Sequence, residues 1–107
     1  MSALLVRIWR SRIKEGREEE YDHFARDESK PMFEAQAGNL GVLFTRTGDD
    51  CAVISFWKDL RAITAMETSQ SYRKTVGKIE ATGFLKGKQT VEIFAATDGF
   101  LSETFKF

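Results

Sequence analysis

Few side chains in this sequence can do chemistry, and most of those are aromatic. The chain holds one histidine, His23, one cysteine, Cys51, and one proline, against two Trp, two Tyr and nine Phe. One His and one Cys cannot build a zinc site, so a metal centre would have to rest on carboxylates. The pair Asp49-Asp50 reads as the polar tip of a turn, and no metal is expected. Cys51 directly follows those two aspartates, whose charge works against a thiolate, so a nucleophilic thiol is not expected either. His23 falls on the polar side of a helical pattern and reads as a solvated surface residue. What remains is an aromatic supply suited to the wall of an apolar cavity that stacks against a planar ligand.

The bulk properties narrow the partners. In 107 residues, 16 basic side chains balance 16 acidic ones, for a formal net charge of zero. That removes the usual electrostatic reason to expect a nucleic-acid or anionic-membrane partner. A single cysteine allows no internal disulfide and suits a reducing compartment. The apolar run Ala3-Leu4-Leu5-Val6 ends at Arg7, too short for the core of a signal peptide. The longest apolar run, Cys51 to Trp57, falls far below the roughly 20 residues of a membrane span. A cytoplasmic protein is expected. Its length allows one domain, read as residues 1–96, followed by a tail at 97–107 that carries Phe100, Leu101, Phe105 and Phe107.

Periodicity supplies the elements that must position any site. Residues 4–13 are rich in β-branched and aromatic types and stop at the turn signal Lys14-Glu15-Gly16, which predicts a first strand. From Arg17 the period becomes helical, with Tyr21, Phe24, Ala25, Glu28 and Met32 on one side and the acidic Glu18-Glu19-Glu20 in the first turn. Pro31 predicts a break or kink near Ser29–Pro31, then a short helical piece to Ala37 closed by Gly38-Asn39. Leu40–Thr47 and Cys51–Trp57, joined by Gly48-Asp49-Asp50, predict a hairpin. A helical stretch with Ile63 and Met66 on one side follows. Thr68 or Ser69 then caps a further helix with the stripe Tyr72, Thr75, Val76, Ile79 and Gly83. Gly83 and Gly87 bracket the exit into a last strand at Gln89–Ala96.

The order strand, helix, hairpin, helix, strand, with right-handed crossovers, gives an α+β ferredoxin-like fold: a four-stranded antiparallel sheet with its helices on one face. A sheet covered on one face should alternate apolar and polar residues. Here the first strand is apolar on both parities, with Leu5, Trp9 and Ile13 on one and Leu4, Val6 and Ile8 on the other. The third repeats this, with Val53 and Trp57 against Ala52, Ile54 and Phe56. An exposed apolar face of that extent asks for a cover, and a second copy of the chain supplies one. The expectation is a homodimer with the two sheets face to face.

Three segments bring a known family to mind. Arg-Ile-Lys-Glu-Gly-Arg-Glu-Glu-Glu-Tyr at 12–21 resembles the strand-to-helix opening of the antibiotic-biosynthesis-monooxygenase family. Gly38-Asn39-Leu40-Gly41-Val42-Leu43-Phe44 resembles it too, as does Val53-Ile54-Ser55-Phe56-Trp57-Lys58-Asp59-Leu60 with its Trp at the end of the third strand. The likeness spans about residues 4–96. It implies a dimeric α+β barrel with an apolar pocket between helices and sheet, in a family whose characterised members oxygenate polycyclic phenols or quinols without metal or flavin, or degrade haem. The haem-degrading branch's Asn, second Trp and iron-ligating His fall on Trp9, Met66 and Val76 of this sequence, which disfavours haem degradation. The polyketide-oxidising branch's pocket Trp aligns with Trp57, while its companion Asn and Tyr fall on Val53 and Ile63.

The resemblance places Trp9, Phe24, Phe33, Phe44, Trp57, Met66 and Tyr72 near a helix–sheet pocket, with Arg7 and Ser11 on Trp9's side of the first strand as polar contacts. No catalytic residue is singled out. Arg7 has other outlets, reaching solvent at the sheet end or pairing with a carboxylate of the first helix. Two functions follow from different classes. One is a cofactor-independent monooxygenase of small aromatic hydroxyl compounds, which needs a dry cavity and one or two polar groups at the hydroxyl. The other is a non-catalytic dimeric small-molecule-binding protein, since a shared fold does not fix function.

Overall fold

The structure, a computed structural model, describes residues 4–104. Its elements are β1 (Leu5–Ile13), α1 (Glu18–Phe24), a π-helical turn (Ala25–Ser29), α2 (Lys30–Glu34), β2 (Asn39–Thr47), β3 (Asp50–Trp57), α3 (Leu60–Glu67), α4 (Gln70–Thr82) and β4 (Leu85–Ala95). The strands form one antiparallel sheet in the order β2-β3-β1-β4. This is the ferredoxin-like arrangement expected from the element order.

Pleating sorts the side chains. Cys51, Val53, Ser55 and Trp57 are buried while Ala52, Ile54 and Phe56 between them are half-buried, so alternate residues of β3 face the helices and the uncovered side. Pairing carries that parity across the sheet. Trp57, Ser55, Val53 and Cys51 stand opposite Leu5, Arg7, Trp9 and Ser11 of β1, all on the helix side. Val6, Ile8, Leu43, Ile54 and Phe56 share the other face, where Phe94 of the edge strand β4 is also exposed.

Several boundaries differ from expectation for identifiable reasons. Of the break or kink expected near Ser29–Pro31, the structure shows no break but an irregular turn just ahead of the proline. The helix after Arg17 widens into a π turn, in which the Lys30 N–H donates to the Ala25 carbonyl, and continues to Glu34. Proline has no N–H to give, and the change of frame just ahead of Pro31 lets the chain pass it without interruption. The last strand starts at Leu85, four residues before Gln89, and ends at Ala95. Gly87, at φ 74°, sits inside the strand, where the register against β1 slips between Arg10 and Arg12. A glycine that reads as a boundary is here a bulge. Gly38 is needed where it stands, since at φ 83° an added Cβ would lie 2.6 Å from Cβ of Ala62.

Both helices after β3 have side-chain caps, and the sequence pointed to the second of them. Asp59 accepts from the Ala62 N–H at 2.8 Å, and Ser69, of the two candidates, accepts from the Tyr72 N–H at 3.1 Å. The core forms two clusters on the helix side. One gathers Met32, Phe33, Val53, Trp57, Ala62, Ile63 and Met66, and the other Ile13, Tyr21, Cys51 and Phe84, with Trp9 packed against both. In the tail, Phe100 and Leu101 are exposed, while Phe105 and Phe107 lie outside the described residues.

Candidate functional site

Between the sheet and α4 lies a cavity of about 160 Å³. Each wall comes from a different element. β1 contributes Arg7 and Trp9, the helix containing the π turn contributes Phe24, Ala25, Ser29, Met32 and Phe33, and β2 and β3 contribute Phe44 and Val53. α4 closes it with Tyr72, Thr75, Val76 and Ile79, and the exposed Gln89 and Val91 of β4 stand at its rim. The aromatic walls hold one another in place by edge contacts. Phe33 meets Phe44 at 6.1 Å and 62°, and Phe24 meets Phe84 at 6.1 Å and 82°.

Arg7 is the charged member of this wall. Its side chain is 3% exposed, and its Nε donates to Oε2 of Glu67 at 3.0 Å. Its Nη2 donates to the Tyr72 hydroxyl at 3.1 Å, and its Cζ lies 5.7 Å from the centre of the Tyr72 ring. Arg7 thus reaches neither solvent nor a carboxylate of the first helix. Its partner is at the end of α3, because helix-side parity at position 7 aims the side chain where α3 hands over to α4. A buried guanidinium needs such a carboxylate, since removing the partner would strand a charge.

The other sequence candidates divide into two groups. Trp9, Phe24, Phe33, Phe44 and Tyr72 line the cavity together with Arg7. The Trp9 indole donates to Oε1 of Gln89 at 3.1 Å, which keeps the ring in the wall and out of the space in front of it. Trp57 and Met66 are fully buried in the core beneath α3 and do not line the cavity. The Trp57 indole N–H is spent on Ser55 Oγ at 2.8 Å. Ser11 does not line it either. It borders a shallow polar depression with Arg10, Arg12 and Lys88, and its buried Oγ has no partner among the described residues.

Two further groups have titrations moved by burial. Desolvation, reinforced by the neighbouring Cys51, pushes the Tyr21 phenol well above its ordinary range, and its hydroxyl donates to the Thr45 carbonyl at 3.3 Å. Desolvation likewise pushes the Cys51 thiol up, consistent with an unreactive cysteine. Tyr21 lines the cavity as a neutral ring.

Sequence reasoning missed Glu67, Gln89 and the π-turn residue Ser29, and placed Ala25 on the helix's apolar side without assigning it to the cavity. Thr75, Val76 and Ile79 were visible as the α4 stripe, but a stripe shows which side faces the sheet and not how far away the sheet is. A signal for the π turn existed in Pro31, which demands some disturbance of the helix without saying which kind.

No family model matches the sequence, and no curated protein matches it by sequence. Solved structures do match the fold. A protein of unknown function from Nitrosomonas europaea superposes with a TM-score of 0.78 at 18% identity, covering 94% of this chain and 96% of that one. A candidate antibiotic biosynthesis monooxygenase from Caulobacter crescentus gives 0.77 at 11% identity, over 91% of this chain and 92% of that one. SnoaB, a cofactor-independent oxygenase from Streptomyces nogalater, gives 0.74 at 15% identity, over 94% and 100%. At such identities the likeness concerns the backbone alone. The chain has the α+β fold of the antibiotic biosynthesis monooxygenases.

Proposed function

We propose that the cavity beneath α4 is the active site of a cofactor-independent monooxygenase acting on a small aromatic hydroxyl compound. The observation that carries this reading is a mainly apolar cavity in which one buried cation, Arg7, is hydrogen-bonded to one phenolic hydroxyl, Tyr72. The fold shared with SnoaB supports it. In such a reaction the substrate supplies every electron. The Arg7 cation favours ionisation of the substrate's hydroxyl. The resulting phenolate passes one electron to dioxygen, and the phenoxyl and superoxide radicals join at the para ring carbon. The O–O bond then breaks. One oxygen stays as the second carbonyl of a quinone, and the other leaves as water with the ring hydrogen and the phenolic proton. Phenol and dioxygen thus become quinone and water, and the apolar walls keep bulk water from the radical pair.

The same reading makes the protein a homodimer. Val6, Ile8, Leu43, Ile54 and Phe56 on the face opposite the helices are only half-buried in one chain, and Phe94 is 51% exposed. Packed against a second sheet, that face would lose its contact with water, which is the main driving force for association. A reducing, cytoplasmic setting suits the single free Cys51. Among the described residues no helix is long and apolar enough to cross a membrane.

Oxygen uptake with a panel of phenols and hydroquinones tests the enzymatic part. The expected result is uptake with at least one compound, with one atom of isotopically labelled dioxygen in the quinone and the other in water. No uptake across the panel, together with ligand-induced thermal stabilisation, contradicts it and supports the non-catalytic binding protein. Sedimentation at micromolar concentration should report twice the chain mass of 12.2 kDa, and a monomer would contradict the dimer.

A further inference from the structure

We infer that the ligand of this cavity is a single-ring aromatic compound bearing one ionised oxygen, with Arg7 as its anchor. The inference rests on reading the cavity as a ligand site, and not on the oxygenation chemistry.

Size limits the body of the ligand. A dry cavity of roughly 150 Å³ lined by aliphatic and aromatic side chains holds one benzene ring. The cavity here is about 160 Å³. A fused polycycle would project past the rim at Gln89 and Val91 into solvent, where its further rings gain no apolar contact.

Charge limits the head. Of the residues lining the cavity Arg7 alone is charged; no Asp, Glu, Lys or His joins it. Guanidinium has five N–H bonds, and the structure gives partners to two of them, on Nε and Nη2. Both N–H bonds of Nη1 and one of Nη2 have no partner among the described residues. Arg7 is 3% exposed and lines the cavity, so the cavity is the space its guanidinium faces. The Tyr72 hydroxyl accepts from Arg7, and its own proton has no acceptor among the described residues. An oxyanion placed there would take charge-assisted bonds from Arg7 and a further one from Tyr72. Glu67 stands behind the guanidinium with 37% of its side chain exposed. It balances the charge when the cavity is empty and competes only weakly when an anion arrives.

Phenolate and carboxylate share this chemistry, and the probes separate them. Binding of benzoate and of its neutral isostere benzamide is measured by calorimetry. The ionisation of bound 4-nitrophenol is read from its absorbance. The expected result is at least one sign of anion preference, either benzoate at least tenfold tighter than benzamide or bound 4-nitrophenol ionising at lower pH than free. Benzoate alone responding assigns a carboxylate, 4-nitrophenol alone a phenolate, and both a general oxyanion site. Neither responding overturns the inference, as does a preference that survives in Arg7→Met. Should Arg7→Met not fold, Tyr72→Phe decides, since it leaves the Arg7–Glu67 pair intact and removes only the second donor to the oxyanion. It should weaken benzoate severalfold and leave benzamide unchanged, and an unaltered anion preference would overturn the inference. Oxygen uptake plays no part in these measurements. A protein that binds benzoate through Arg7 but oxidises no phenol keeps this inference and loses the oxygenase reading. One that oxidises phenols without anion preference does the reverse.

Discussion

The two helices that follow β3 cover the same sheet in opposite ways. α3 is 8 residues long and buries Ala62, Ile63 and Met66, whereas α4 is 13 residues long and has no buried residue. Under α3 the space is filled by Trp57, Ile63 and Met66, each 0% exposed. Under α4 it is left as the cavity. Composition explains the difference. α3 places Ile63 one turn and Met66 two turns down from the Asp59 cap, packed with Trp57 at the end of β3. α4 offers Tyr72, Val76 and Ile79 with the shorter, polar Thr75 among them. It is held mainly at its ends and flank, by the Ser69 cap, by the fully buried Phe84 just past its C-terminus, and by the ion pair of Lys78 with Glu28 of the π turn. A helix fixed in this way can stand off the sheet, and a ligand site needs that gap.

Substitutions under each helix should therefore behave differently. Trp57→Ala removes the largest sealed side chain and should cost about 3–5 kcal/mol in chemical denaturation, with Ile63→Ala and Met66→Ala each costing about 2–5 kcal/mol. Val76→Ala, at a half-buried position lining the cavity, should cost under about 1 kcal/mol, since little packing is lost. Equal costs under both helices would break the contrast. Val76→Phe sharpens it from the other direction. In a packed core, inserting such a volume costs about 1–3 kcal/mol. Here the ring has space to enter, so stability should hold while binding of phenol is lost.

The smallest expected effect concerns acid. Hydrogen bonds from Arg46 hold the Asp22 carboxyl below its ordinary range and tie α1 to β2. A carboxyl whose folded value is depressed contributes stability above its unfolded value, near 3.9 for Asp, and loses it as pH falls through the folded one. The pair is largely solvent-exposed. Asp22→Asn should therefore flatten the acid limb of the stability curve only slightly, and added salt should shrink the difference.

What the sequence revealed divides along the same line. The two β-type runs and the Gly48-Asp49-Asp50 tip between them made the hairpin legible, because strand composition and turn chemistry are local. Apolar residues on both parities of β1 and β3 exposed the uncovered face. Trp57 was readable as helix-side but not as sealed, since that depends on α3 landing on it through Ala62 and Gly38. Arg7 was readable as sharing Trp9's side, yet its partner Glu67 lies 60 residues away, and no periodicity reports such a pairing. The cavity itself is a distance between two surfaces, which is a tertiary quantity.

The two tryptophans place one indole N–H on each side of this contrast, Trp9 in the cavity wall and Trp57 in the sealed core. Titrating phenol into nitrogen-15-labelled protein and following both indole resonances tests the hollow half of the sheet most directly. The Trp9 signal should move saturably while that of Trp57 stays in place. Movement of Trp57 with Trp9 unmoved, or no movement of either at millimolar phenol, would contradict a ligand site beneath α4.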